Sequence, residues 1–276
     1  MPHNNQKKIA IINDMSGFGK CSIAVALPII SHMKIQGCPL PTSIFSNHTG
    51  FDSFYYKDFT EHMEKYIEQW KKLNLRFNAI ASGFLGSVHQ ITIVENFIDS
   101  FRDDKTIVVI DPVMGENGKT YATYTKEMCS EMKRLAKKAD ILTPNVTEAC
   151  ILTGTDYKDT GWKKSELLAI SKKLSDLGAK KVVISGIHMG DYIANAVYDN
   201  QNGFSVLRQK KAGVLRSGTG DIFASIIAAD AVNNVDFKES VKKAAGFIKE
   251  CIIETEKNNI PLTDGVCFEN ILYKLK

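Results

Sequence analysis

Ile107-Val108-Val109-Ile110-Asp111-Pro112-Val113-Met114-Gly115 carries the clearest strand signature in the chain. Four apolar residues stand in a row without alternation, as in a strand buried on both faces of a parallel sheet. Pro112 ends the strand, because proline brings no N–H to a ladder, and Asp111 is left at the carboxyl tip. The same rhythm repeats outward in both directions. Residues 9–12, 43–45, 79–81, 141–142 and 182–184 read as further short apolar strands. Helical patterns lie between them. Ile23, Leu27 and Ile30 recur at i, i+4 and i+7. Ser87, with Gln90 three residues on, has the form of a capping box ahead of Ile91, Val94 and Ile98. A third pattern covers 165–177 and stops at Gly178, a good residue just past a helix end.

After residue 184 the rhythm changes. Residues 192–198, the turn Asn200-Gln201-Asn202-Gly203 and residues 204–207 read as an antiparallel hairpin. Two apolar helices follow at 221–232 and 237–257, the second opened by Asp236 with Glu239 three positions later. Residues 267–275 have the pattern of a short last helix. Repeated βα units with right-handed crossovers give an α/β fold, a mostly parallel doubly wound sheet edged by an antiparallel hairpin. With no linker and no internal repeat, residues 1–276 read as a single domain, 1–6 as a flexible tail.

Composition narrows the function classes. The chain has 276 residues, 44% of them apolar and 24% charged, with 19 Gly and 7 Pro, so disordered and collagenous readings are excluded. A net charge of +4 with no run of five like charges argues against nucleic acid as a partner. Cysteines 21, 38, 129, 150, 251 and 267 form no C-x-x-C, which suits free thiols in a reducing compartment. No apolar run approaches the roughly 20 residues of a membrane span, and the N-terminal one is too short for a signal peptide. A cytoplasmic protein without a membrane partner is expected.

In a doubly wound sheet, ligands bind beyond the carboxyl ends of the strands. Asn13-Asp14-Met15-Ser16-Gly17-Phe18-Gly19-Lys20-Cys21-Ser22 follows the first strand but is not a P-loop, since Asp14 and Cys21 hold the positions of an obligatory Gly and Ser/Thr. Nor is it a dinucleotide fingerprint, with Ser22 in place of the third Gly. Asp14 either faces a ligand or, like Ser16, caps the following helix. Arg216-Ser217-Gly218-Thr219-Gly220-Asp221 runs straight into an almost wholly apolar helix. Gly218 and Gly220 let the backbone turn so that N–H groups form an anion nest at the helix N-terminus. Asp221 in that turn suits a base that deprotonates a hydroxyl attacking phosphorus, the plain alternative being a helix cap. Asp111, together with Glu148 of Thr143-Pro144-Asn145-Val146-Thr147-Glu148, can arrange Mg²⁺, although Asn145 and Glu148 also fit a cap and its third residue. In Ser46-Asn47-His48-Thr49-Gly50, His48 reads as structural, and Thr49 as a group that orients a polar ring substituent.

These segments, in this order, resemble the ribokinase superfamily of small-molecule kinases and, within it, the vitamin B6 kinases, with a three-layer sandwich fold. Gly218-Thr219-Gly220-Asp221 is similar to the superfamily's G-x-G-D. The resemblance implies Asp221 as catalytic base and the amides of Gly218, Thr219 and Gly220 as anion hole. Phe45-Ser46-Asn47-His48-Thr49 is similar to the F-S-N-H-T of pyridoxal kinases, placing Thr49 against the substrate ring. Asp111-Pro112-Val113-Met114-Gly115 resembles D-P-V-[ML]-G, and Thr143-Pro144-Asn145 with Glu148 resembles T-P-N-x-x-E, the nucleotide and metal side. Ser185, Ser217, Glu116 and Tyr121 complete the implied ATP-binding set, the last two in a loop closing over the phosphates. Two positions depart from the pattern. Asn13-Asp14 replace the usual Ser-His, so that the first loop looks more like the S-D-x-S-G-G-x-G of hydroxymethylpyrimidine kinases, and Phe84 stands where many pyridoxal kinases have Tyr. Asp14, Thr49 and Phe84 are therefore the expected substrate contacts.

The implied activity is ATP- and Mg²⁺-dependent phosphorylation of the 5′-hydroxymethyl group of a B6 vitamer, with a monovalent cation such as K⁺ as an optional further cofactor. The implied assembly is a homodimer. A hydroxymethylpyrimidine kinase is the nearest alternative, and a non-catalytic vitamer- or nucleotide-binding protein the alternative of another class.

Overall fold

Residues Ile107–Ile110 occupy the middle of a nine-stranded sheet. Val108 and Ile110 enter the core on one face and Val109 the core on the other, which is why no polar residue alternates with them. The computed structural model describes residues 3–275. In chain order the elements begin β1 (Lys8–Ser16), α1 (Ser22–His32), β2 (Gln36–Phe45), β3 (Tyr56–Asp58), α2 (Thr60–Lys72), β4 (Ala79–Ser82), α3 (Val88–Phe101) and β5 (Ile107–Ile110). There follow β6 (Gly115–Glu116), β7 (Lys119–Thr120), α4 (Lys126–Ala136), β8 (Ile141–Leu142), α5 (Val146–Thr153) and α6 (Lys164–Ser175). Strands β9 (Lys181–Met189), β10 (Tyr192–Asp199) and β11 (Gly203–Lys210) precede α7 (Thr219–Val232) and α8 (Phe237–Lys257).

The sheet order is β11-β10-β9-β8-β5-β4-β1-β2-β3. Strands β2, β1, β4, β5, β8 and β9 are parallel, and β3, β10 and β11 pair antiparallel at the two edges. Helices α2 to α6 cover one face and α1, α7 and α8 the other, giving the three-layer sandwich. No helix among the described residues is long and apolar enough to cross a membrane.

The expected hairpin is present, with Tyr198 opposite Phe204 and Asp199 opposite Gly203. Asp236 caps α8 by accepting from the Glu239 amide at 3.1 Å. Strand β2 is much longer than residues 43–45, because Pro39 and Pro41 hide it. Both prolines face a side that β3 does not cover, since β3 pairs only with Ser43 to Phe45, so their missing N–H groups break no ladder. Ser87 caps α3, but Gln90 closes no box on it. The Gln90 side chain instead accepts from Gly86 at 2.7 Å and donates to the Thr42 carbonyl at 2.8 Å, tying α3 to β2. The C-terminal segment forms 3₁₀ turns at Leu262–Asp264 and Glu269–Lys274 rather than an α-helix. In the expected tail, Asn4 and Gln6 hold the Lys8 ammonium through their carbonyls at 2.9 Å, while residues 1 and 2 lie outside the described residues.

Candidate active site

Strand periodicity delivers the first site residues. In β1, Ala10 and Ile12 face one core, and Ile9 and Ile11 the one shared with α7. One further step past Ile12 turns Asn13 toward α7, as one step past Ile110 turns Asp111 the same way. Asn13 Nδ2 donates to Asp221 Oδ1 at 3.3 Å. The β1–β2 register shifts between Asn13 and Met15, a bulge that re-aims Asp14. Asp14 is buried, and the hydroxyls of Ser22 and Ser16 donate to it at 2.6 and 2.9 Å. Neither Asp14 nor Ser16 caps α1, whose N-cap is Cys21 with no side-chain bond.

Three loops meet beneath these carboxylates. Gly218, the N-cap of α7, has φ +89°, and a Cβ there would lie 2.3 Å from the Lys20 carbonyl oxygen. Glycine is required at that position. Gly220 has no positive φ and nothing within 4 Å of its hypothetical Cβ, so the backbone turn is made by Gly218 alone. What the missing side chain at Gly220 leaves is open space above the first turn of α7, where the leading amides of a helix have no carbonyl partner. Gly265 packs on the Gly19 carbonyl, the Val266 amide donates to Ser217 at 3.1 Å, and His48 Nε2 reaches the Thr263 carbonyl at 2.7 Å. The Gly50 amide donates to His48 Nδ1 at 3.0 Å, so both ring nitrogens are used structurally. Lys20 and Ser22 take left-handed φ of 53° and 57°, strained for residues with side chains. That conformation aims the Ser22 amide at Asp221 and its hydroxyl at Asp14.

Electrostatics set these acids apart. Burial pushes Asp221 up to about 6, opposed by the Ser22 amide and the Asn13 bond and reinforced by the charge of Asp14. Burial also raises Asp14, with its two serine hydroxyls pulling the other way. Asp111 is pushed up by burial and then by the charge of Asp221, and Glu148 by burial and then by Asp111. Among the described residues none of these four carboxylates has a Lys, Arg or His ion-pair partner. An uncompensated pair such as Asp111 and Glu148 fits a divalent cation held through one or two carboxylates and water, as Mg²⁺ is. No group of three or more His, Cys, Asp or Glu suited to a metal occurs among the described residues, so a cage made wholly of protein ligands is not available.

The expected nucleotide side is also brought together. Asn145 and Glu148 do form a capping box on α5, with the Asn145 amide donating to Glu148 Oε2 at 2.8 Å. Glu148 Oε1 accepts from the Met114 amide at 3.2 Å, and Asn145 Nδ2 donates to the Gly115 carbonyl at 2.8 Å. Capping and positioning are thus one arrangement, because the cap itself draws Glu148 against the segment after β5. Ser185 bridges to Asn145 across the sheet end. Glu116 is exposed on the small hairpin of β6 and β7, and the Tyr121 amide after it donates to the Met114 carbonyl at 2.9 Å. Burial and the charge of Glu148 raise the Tyr121 hydroxyl.

On the opposite side, Phe84 packs with Phe45 at 6.3 Å and Tyr124 at 6.4 Å between ring centroids, and Tyr56 lies 4.8 Å from Phe45. These rings form an aromatic wall, and the Phe84 amide shares its acceptor, Asn13 Oδ1, with the Asp14 amide. Thr49 is exposed in the turn beyond β2 and makes no hydrogen bond among the described residues. Asn13 is the residue that the sequence leaves without a role. Its only signal is the face of β1 on which it falls.

The layered sheet and a carboxylate in the first turn of a helix at its carboxyl edge place the chain among small-molecule kinases of ribokinase-like fold. More particularly, the phosphomethylpyrimidine kinase family profile matches residues 26–265, and the chain belongs to that family. A hydroxymethylpyrimidine/phosphomethylpyrimidine kinase of Aquifex aeolicus is 30% identical over 181 residues, covering 63% of this chain and 67% of that protein. A pyridoxine kinase of Bacillus subtilis is 29% identical over 161 residues, covering 58% and 57% respectively. A Bacteroides thetaiotaomicron protein assigned to the phosphomethylpyrimidine kinases, crystallised with pyridoxal, superposes with a TM-score of 0.94 at 36% identity, covering 98% of this chain and 96% of that one. A pyridoxal kinase from Lactobacillus plantarum superposes with a TM-score of 0.89 at 25% identity, over 98% and 96%.

Proposed function

We propose that the chain transfers the γ-phosphoryl group of ATP to the 5′-hydroxymethyl group of pyridoxal, pyridoxine or pyridoxamine. The observation that carries the reading is Asn13, which ties the backbone of the buried Asp14 and of Phe84, in the aromatic wall of Phe45 and Tyr56, to Asp221. A flat heteroaromatic ring fits the aromatic wall. A buried carboxylate with no basic partner gains most from a substrate that carries its own positive charge, so Asp14 favours a vitamer with a protonated ring nitrogen or an amine. The pyridoxal in the Bacteroides protein of similar fold supports this substrate class.

Asp221 takes the proton of the substrate hydroxyl as that oxygen attacks the γ-phosphorus in line. The amides of Gly218, Thr219 and Gly220 receive the equatorial oxygens of the transferring group over the α7 N-terminus, and Gly220 leaves the room they need. Ser217 and Ser185 hydrogen-bond the phosphates, Glu116 and Tyr121 cover them, and Asp111, Asn145 and Glu148 hold the metal side. Asp111 and Glu148 would hold Mg²⁺, which would supply charge neutralisation for the phosphoryl transfer. Asp14, Thr49 and Phe84 orient the acceptor ring.

A second reading, phosphorylation of hydroxymethylpyrimidine, is favoured by the 30% identity with the Aquifex enzyme and uses the same machinery. One preparation assayed with Mg-ATP and pyridoxal, pyridoxine, pyridoxamine and hydroxymethylpyrimidine decides between them. The expected outcome is a higher kcat/KM for a vitamer. A pyrimidine value about tenfold or more above every vitamer overturns the assignment.

A further inference from the structure

The Asn13 side chain is held in a single orientation. Its Oδ1 accepts from the Phe84 amide at 2.8 Å and from the Asp14 amide at 3.0 Å. With the oxygen fixed by two N–H donors, the Nδ2 group faces the other way, toward Asp221 Oδ1 at 3.3 Å. Gly83 makes room for the arrangement, because a Cβ there would lie 2.5 to 2.8 Å from the Asn13 amide atoms. The close approach sets the Asn13 amide directly against the backbone that leads into Phe84. Asn13 is 8% exposed.

We propose that Asn13 is a positioning residue for Asp221, tying the base to the backbone of the substrate wall so that one carboxylate oxygen is occupied and the other is turned to the acceptor hydroxyl. The proposal deepens the kinase reading above and rests on it. The bond spans β1 and α7, two elements that otherwise meet through apolar packing, so it registers the base against the same loop that carries Phe84. Asn13 also stands where the first loop departs from the Ser-His of pyridoxal kinases. Both of its polar ends are occupied by protein, so the position serves the base rather than the substrate ring.

The test uses the full chain with saturating Mg-ATP and whichever acceptor gives turnover. Asn13→Asp keeps an acceptor for the Phe84 and Asp14 amides but replaces the donor facing Asp221 by a second carboxylate oxygen, so it removes the bond and adds repulsion. Asn13→Ser, which is too short to reach Asp221, removes the bond without adding charge and also serves should the first variant fold poorly. Each is expected to lower kcat about tenfold to a hundredfold, the scale of a misplaced catalytic group, while KM for ATP stays within about threefold. The same substitutions placed in the Asp221→Asn background are expected to change the residual rate less than about twofold, since their effect runs through Asp221. Full multiplication of the two losses overturns the proposal, because a general structural role would multiply. An unchanged kcat with a raised KM for the acceptor also overturns it, by making Asn13 a substrate contact. If Asp221→Asn itself turns over at the wild-type rate, the kinase assignment of the base falls first. If Asp221→Asn is inactive and Asn13→Asp is not impaired, only the present proposal falls.

Discussion

Replacing Gly220 by alanine separates two roles that a glycine at a helix start can have. Gly220 lies in the first turn of α7 with no positive φ and nothing within 4 Å of the methyl group that alanine would add. Alanine is a better helix former than glycine by about 0.5–1 kcal/mol, so the substitution should stabilise the fold. In a chain of this size that corresponds to a rise in Tm of about 2 °C. The same methyl projects over the unpaired amides where the phosphoryl group is proposed to lie. Screening or displacing one such donor costs about 10²-fold in kcat. Gly218→Ala is the opposite case, since φ +89° and a carbonyl oxygen 2.3 Å from the new Cβ make it strained and crowded. The left-handed conformation alone costs about 1–2 kcal/mol, so Gly218→Ala should lose at least that much stability. Thermal melts followed by circular dichroism, paired with a coupled ADP-release assay, read both quantities on both variants. A Gly220→Ala protein that is more stable and fully active would refute the anion cradle. One destabilised by more than about 1 kcal/mol would refute the reading that its backbone does not need glycine.

Further outcomes follow from the four carboxylates of the site. Asp221→Asn should lower kcat by about 10²–10⁴-fold, and in the parent chain kcat should rise with pH through about 6, because the base acts ionised; a rate that is flat down to pH 5 contradicts this. Asp221, Asp14, Asp111 and Glu148 all have folded pKa values above their unfolded ones. The folded state then holds more protons, so stability falls as pH rises from the unfolded value of 3.8 through about 6 for Asp221, a change on the order of 3 kcal/mol for that group. Metal-free protein should therefore melt lower at pH 8 than at pH 5, with Mg²⁺ restoring part of the difference at pH 8. A Tm that does not respond to Mg²⁺ would argue against the Asp111–Glu148 site.

The parallel strands are legible because burial on both faces removes alternation, and the hairpin of β10 and β11 because Asn200-Gln201-Asn202-Gly203 interrupts two strand runs. Strand β2 reads too short in the sequence because Pro39 and Pro41 forbid a central strand only where both sides are paired, and pairing is not visible there. The hairpin of β6 and β7 does carry a signal. Asn117-Gly118, with φ of 52° and 76°, is the two-residue turn that such hairpins favour. Asp14, Asp111, Glu148 and Asp221 stand out as site candidates because each lies just beyond a strand or at a helix start. The use of Gly220 as space rather than as a turn, and of Asn13 as a clamp, depends on distances across loops far apart in the chain. No local pattern encodes those.

The packing of Gly265 on Gly19, and of Val266 on Ser217, joins the first loop of the chain to the segment between its two C-terminal 3₁₀ turns. The first loop thus rests on chain laid down about 250 residues later, so the proposed phosphoryl site and the C-terminal segment share one support. A truncation ahead of Gly265 would take away the floor of that loop while leaving every strand of the sheet in place.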